Sequence, residues 1–178
     1  MSGNIAFITK IITLLPRRRP SAAKLGGIKA LLADCDGTLT DGGIYYLESG
    51  DSMKKFNSKD GMAAQLLKEA GFITGVVTGA GSRMVERRSA ACGFTEVYQM
   101  VDDKLAAVRD VAARHGLSLG QIAFIGDDIN DYEALKACGF SACPADAVPA
   151  VRRAVDYVCK APGGYGAYRE VADLLLDR

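Results

Sequence analysis

Several short clusters of polar side chains stand out along the chain, each behind an apolar run. Asp34-Cys35-Asp36-Gly37-Thr38 follows residues 28–33, and Thr78-Gly79 follows residues 72–77. Gly126-Asp127-Asp128-Ile129-Asn130-Asp131 follows residues 121–125, and Lys104 stands between the last two clusters. If they converge, they form a pocket rich in carboxylates. Crowded carboxylates repel, so either one keeps a proton or a divalent cation sits among them. An all-oxygen set without histidine favours Mg²⁺ over zinc. Mg²⁺ is held by few carboxylates, keeps waters and grips a substrate phosphate. A phosphoryl group clamped beside an aspartate can be transferred to that carboxylate and then released by water.

Lys104 fits this chemistry. It falls in the first turn of a helix, where the dipole disfavours a cation and suits Asp102 and Asp103. A lysine there is explained if it faces an anion; the alternative is a solvated surface lysine. Each cluster alone is weak, because Asp is common at strand ends and turns, and Asn130 with Glu133 can simply cap a helix. Their order along the chain carries the specificity.

The elements that must position these groups follow from periodicity. Residues 28–33, 72–77 and 121–125 read as buried strands bounded by turn residues. Residues 62–70, 82–92, 102–115, 130–138 and 167–176 read as helices, several closing on Gly, with Ser82 as an N-cap and Asn130 with Glu133 as a cap box. Strands alternating with helices predict an α/β, doubly wound, Rossmann-like parallel sheet with helices on both faces. In such sheets, ligands gather at the carboxyl ends of the strands, where the clusters fall. Residues 40–59 break the rhythm. Two aromatic or apolar runs flank Ser49-Gly50-Asp51, which predicts a β-hairpin inserted after the first strand.

Composition narrows the classes. The chain has 178 residues with 22 Lys plus Arg and 21 Asp plus Glu, so a net charge of +1 gives no electrostatic case for nucleic-acid binding. Cys35, Cys92, Cys138, Cys143 and Cys159 form no C-x-x-C pair, and the sole histidine, His115, is remote from them. That pattern reads as buried thiols in a reducing cytoplasm rather than zinc or disulfides. The apolar run at residues 5–15, broken by Lys10 and followed by Pro16-Arg17-Arg18-Arg19-Pro20, is too short to span a bilayer. Its charge follows the apolar run, unlike a secretory signal. Residues 1–27 are therefore read as an extension or docked helix before one domain at 28–178, with a membrane-surface helix as the alternative.

Together, Asp34-Cys35-Asp36-Gly37-Thr38, Thr78-Gly79, Lys104 and Gly126-Asp127-Asp128-Ile129-Asn130-Asp131 resemble the haloacid dehalogenase-like hydrolases, mostly Mg²⁺ phosphatases. Leu39-Thr40-Asp41-Gly42-Gly43-Ile44-Tyr45, Lys55-Phe56-Asn57-Ser58-Lys59-Asp60-Gly61, Val85-Glu86-Arg87-Arg88 and Gly163-Gly164-Tyr165-Gly166-Ala167-Tyr168-Arg169-Glu170 narrow this to a resemblance with the 3-deoxy-D-manno-octulosonate 8-phosphate (KDO 8-phosphate) phosphatase family. The resemblance spans residues 28–176. It implies a fold without a large cap domain and a cytoplasmic phosphomonoesterase of lipopolysaccharide biosynthesis. It also implies a homotetramer in which the hairpin closes a neighbour's site.

By resemblance, Asp34 is the nucleophile and Asp36 the general acid, then base. Mg²⁺ is held by Asp34, the Asp36 backbone carbonyl and Asp127, while Thr78, Gly79 and Lys104 hold the phosphoryl oxygens. Asp128 and Asp131 look like supports. Asn57, Ser58, Lys59, Asp60, Gly61, Gln65, Ala80 and Arg88 fall on the family's substrate contacts. Arginines typical of the family are replaced by Ala80, Gln65 and Tyr165. Lys59, Arg83, Arg87 or Arg88 could supply the missing charge. The departures leave open a nonulosonate 9-phosphate or another sugar phosphate as substrate. A non-catalytic tetramerising module is a further alternative, although such modules tend to lose a motif carboxylate and this chain keeps Asp34, Asp36 and Asp127.

Overall fold

The computed structural model describes residues 20–50 and 52–177. The apolar run at 5–15 and its basic flank lie outside them. The first described element is a short helix, α1 (Ala22–Gly26), capped by the Ser21 hydroxyl and buried through Leu25. Strand β1 (Ala30–Ala33) follows, and every one of its residues is buried. A hairpin comes next, β2 (Tyr45–Tyr46) and β3 (Ser52–Met53), then helix α2 (Ser58–Glu69) and strand β4 (Ile73–Val77). Helix α3 (Arg83–Cys92), strand β5 (Glu96–Tyr98), helix α4 (Lys104–Arg114) and strand β6 (Ile122–Ile125) continue the alternation. The chain ends with α5 (Tyr132–Ala137), β7 (Phe140–Cys143), α6 (Pro149–Ala154), β8 (Tyr157–Val158) and α7 (Ala167–Leu176).

The sheet has six strands in the order β5-β4-β1-β6-β7-β8, all parallel. Side chains alternate across it, as the pleat requires. Leu31 and Ala33 of β1 join a core with α1, α2, α3 and α7, whereas Ala30 and Leu32 join a second core with α4, α5 and α6. The expected doubly wound sheet with helices on both faces is thus observed. The inserted hairpin forms a separate two-stranded sheet, with Tyr45 opposite Met53.

The three strands read from sequence are the three central ones, β4, β1 and β6. Three more were not read. Glu96–Tyr98, Phe140–Cys143 and Tyr157–Val158 are short and interrupted by polar or small residues. Their ladders come from the strand beside them, so pairing overrides weak local propensity.

Helix α2 begins at Ser58 rather than Met62, because Asn57 accepts from the Lys59 amide and caps it there. The cap box expected at Asn130 and Glu133 is instead made by Asp128 and Asp131, around a 3₁₀ turn (Ile129–Asp131) that precedes α5. None of the described helices is long and apolar enough to cross a membrane.

The order also explains where a ligand can sit. From β1 the chain winds outward through β4 to β5, then returns to β6 on the other side of β1. That reversal opens a crevice at the carboxyl ends of β1 and its neighbours.

Candidate active site

Each central strand delivers its polar cluster to this crevice. Asp34 follows β1 directly and is buried, and its amide donates to the Ile125 carbonyl of β6. Asp127 follows β6 by one residue. Thr78 follows β4, donates its amide to the Tyr98 carbonyl and accepts from the Ala80 amide through its hydroxyl. Lys104 enters from the first turn of α4, whose N-cap is Asp103.

The Lys104 ammonium is buried and donates to Asp34 Oδ1 and to Asp131 Oδ1, each at 2.6 Å. It is therefore the anion-facing lysine expected from its awkward position in the helix, not a solvated one. Burial opposes its charge, but Asp34 and Asp131 outweigh that and hold its ammonium above the ordinary lysine range. Asp131 is fully buried; its second oxygen accepts from the amides of Asp127 at 2.9 Å and Asp128 at 3.2 Å. It thus sets both the lysine and the loop that carries Asp127.

Asp34, Asp127 and Asp131 each place one oxygen within 4.8 Å of the others. Burial and then the charge of Asp131 push the Asp34 carboxyl well above the usual range, against the pull of Lys104. Burial and Asp131 likewise push Asp127 up to about 6, although the Thr38 hydroxyl donates to it at 3.2 Å. One ammonium does not balance three carboxylates in a dry pocket. This donor set of hard oxygens with surplus negative charge fits a divalent cation. The Gly37 backbone sits at φ +88°, and a side chain there would lie 2.2 Å from Asp127 Oδ2, so the loop approaches that carboxylate only as glycine.

Asp36 stands outside this group of three. Its carboxylate is partly exposed and pairs with the ammonium of Lys54, which follows the hairpin strand β3. Nothing in the sequence marks Lys54: it is one of several lysines, and only the hairpin's fold brings it to Asp36. Burial, with Asp36 and Asp34 on either side, raises the Cys35 thiol and keeps it inert.

The residues at the family's substrate-contact positions lie in several places. Ala80 is exposed and lines the cleft between the hairpin and residues 80–82. Ser58 and Lys59 are exposed at the start of α2, and Lys59 lines a shallow depression with Tyr165 and Arg169. Gln65 is exposed and borders a different depression with Lys68 and Ala90. Asn57 donates to the Gly164 carbonyl at 3.3 Å, and its own carbonyl accepts from Arg88 at 2.7 Å. Arg88 lies over the Phe56 ring and against Gly61, where an added Cβ would be 2.5 Å from its guanidinium. Asp60 is buried and accepts from the Arg169 amide at 2.9 Å, joining α2 to the start of α7. Burial pushes its carboxyl up to about 6.

Residues 89–163 match the family described as haloacid dehalogenase-like hydrolase. The chain is 37% identical over 154 residues to 3-deoxy-D-manno-octulosonate 8-phosphate phosphatase KdsC of Escherichia coli (strain K12), covering 86% of this chain and 82% of that protein. Among solved structures, the 3-deoxy-D-manno-octulosonate 8-phosphate phosphatase of Moraxella catarrhalis, in complex with magnesium ion, phosphate ion and a KDO molecule, is similar at a TM-score of 0.85 and 37% identity. That match covers 87% of this chain and 89% of that one. The cobalt-bound deoxy-D-mannose-octulosonate 8-phosphate phosphatase of Haemophilus influenzae matches at a TM-score of 0.83 and 38% identity, covering 86% and 90% of the two chains.

Proposed function

Because the chain belongs to the haloacid dehalogenase-like hydrolases, in the 3-deoxy-D-manno-octulosonate 8-phosphate phosphatase family, it is a phosphatase, and we propose that it hydrolyses a phosphorylated keto-deoxy sugar acid of the octulosonate 8-phosphate type with Mg²⁺. The observation that carries this reading is the bond from Lys104 to both Asp34 and Asp131, with Asp127 in the same cluster.

Asp34 attacks phosphorus, forming an aspartyl phosphate as the ester P–O bond breaks. Asp36 gives its proton to the departing sugar oxygen. Asp36 then takes a proton from water, whose oxygen attacks phosphorus, and the P–O bond to Asp34 breaks to release phosphate. Lys104 fixes the nucleophilic oxygen and, with the Thr78 hydroxyl and the Gly79 amide, receives the phosphoryl oxygens. Asp34, Asp127 and the Asp36 backbone carbonyl would hold the Mg²⁺, which supplies positive charge against the phosphoryl oxygens. The positions Gln65, Ala80 and Tyr165 offer no guanidinium, which favours testing nonulosonate 9-phosphates beside the eight-carbon acid.

The reading carries the family's homotetramer with it. On the hairpin, Ile44 is 75% and Tyr46 79% exposed, which supports a neighbouring subunit covering them. A cytoplasmic enzyme is the matching location.

Phosphate release over eight- and nine-carbon sugar-acid phosphates and simple sugar phosphates, with Mg²⁺ present and then chelated, tests the reading. The expected result is preference for an acid and loss of turnover on chelation. Asp34→Asn, which keeps size and removes the nucleophile, should lower turnover by at least ~10³-fold with the fold intact. Substantial turnover by that variant would refute the covalent route.

A further inference from the structure

A monoester whose phosphorus is at Asp34 and whose bridging oxygen is at Asp36 must send its leaving group out past Asp36. The cleft that Lys54 joins to Asp36 lies between the hairpin and residues 80–82. Its walls include Ile44, Tyr46, Met53, Ala80 and Ser82, and among the described residues the one charged side chain lining it is Lys54. Lys54 is only 17% exposed, and its ammonium reaches Asp36 itself. Three other cations nearby are committed elsewhere, and Arg83, beside Ser82, is exposed and does not line the cleft. Lys104 is held by Asp34 and Asp131. Lys55 turns outward onto Asp41 and the Tyr165 ring, 3.7 Å from its centroid. Arg88 donates to the Asn57 carbonyl.

We propose that Lys54 is the residue that reads the negative charge of the leaving group, binding the substrate's carboxylate in this cleft. The assignment rests on the sugar-acid reading above and deepens it by naming the side chain that makes the acid preferred. The physical logic is one of exchange. Without substrate, the Lys54 ammonium pairs with the Asp36 carboxylate. A bound carboxylate offers a second anionic partner of the same chemistry, so the ammonium is shared or transferred without being left unpaired in the cleft. A neutral sugar offers no such partner, and for it the lysine stays with Asp36. Lysine suits this duty because three donors on a flexible stem reach two acceptors at once.

The test compares kcat/KM for octulosonate 8-phosphate with that for a neutral sugar phosphate, such as glucose 6-phosphate, in the parent and in Lys54→Met and Lys54→Arg. Losing the Asp36 partner affects the neutral substrate at least as much as the acid, so it cannot by itself lower their ratio. The expected result is a parent that prefers the acid and a Lys54→Met protein whose acid-to-neutral ratio drops about ten- to a hundredfold, mainly through KM. Lys54→Arg should recover part of it. Thermal unfolding of each variant confirms that the fold is kept, since the side chain belongs to no core. Equal loss on both substrates, in a parent that prefers the acid, overturns the assignment and makes Lys54 a partner of Asp36 or the phosphoryl group alone. A parent with no preference for the acid overturns the sugar-acid reading and the assignment together.

Discussion

Two walls face each other across the crevice, and they are made in opposite ways. One is the carboxyl edge of β4, β1 and β6, where Asp34, Asp131 and Lys104 are buried and bonded to one another or to backbone. The other is the hairpin, two residues per strand, with Tyr46, Leu47 and Met53 about half or more exposed. On the first wall, side chains are positioned by strands that cannot shift without breaking the core, and the phosphoryl chemistry sits there. On the second, no strand pairs with the main sheet, and the groups proposed to meet the leaving group sit there. In the proposed reading the hydrolytic step thus rests on the buried wall, and substrate choice on the exposed one.

The sharpest way to break that contrast is to remove the cation from the rigid wall. Lys104→Met leaves the buried carboxylates of Asp34 and Asp131 without their shared ammonium. Activity should fall about 10²–10³-fold, as when one preorganised charge is lost, and stability at neutral pH by about 3 kcal/mol. Because the raised Asp34 carboxyl then loses its compensating charge, the deficit should shrink as pH is lowered and it takes up a proton. Equilibrium denaturation at pH 5 and pH 8 measures it. A variant as stable as the parent at both would show that the wall is not held by this pair.

Legibility followed the same division. Asp34, Asp127 and Lys104 were readable because each sits at the end of a strand or the start of a helix, and periodicity locates those points. The central strands were readable because a strand buried on both faces is apolar at nearly every position, as β1 and β6 are throughout. Edge strands such as Glu96–Tyr98 were not, since pairing rather than composition makes them strands. Lys54 was invisible because its meeting with Asp36 depends on how a short hairpin leans, which no local pattern encodes. Gln65 and Asp60 have surroundings that no local pattern encodes. The first borders a depression with Lys68 and Ala90, and the second accepts from the amide of Arg169 through one oxygen.

Asp60 gives a prediction of middle size, since it is buried like the rigid wall but belongs to the joint between α2 and α7. Its Oδ2 has no hydrogen-bond partner. Its folded pKa, about 6, stands above the unfolded value. The folded state therefore holds the proton more tightly, and ionising Asp60 costs stability as pH rises from about 4 to 6, with the full cost present above that. Asp60→Asn keeps an acceptor for the Arg169 amide and cannot ionise. Relative to the parent it should gain about 2–3 kcal/mol between pH 4 and pH 7, then level off. Urea midpoints across that range read the slope directly, and a flat difference would mean that the carboxyl titrates normally.

The smallest effect is expected where exposure is greatest. Tyr46 projects from the hairpin at 79% exposure and lines the leaving-group cleft. As its ring is not in either core, Tyr46→Ser should change the stability of an isolated chain by no more than about 0.5 kcal/mol. The consequence belongs to whatever covers the hairpin. If a neighbouring subunit does, the substitution removes apolar area from that contact and should weaken assembly. Sedimentation at decreasing protein concentration would then show the variant dissociating earlier than the parent, with its monomer still folded. A chain that unfolds on this change would place the hairpin with the rigid wall after all, and the division between chemistry and choice would have to be redrawn along a different line.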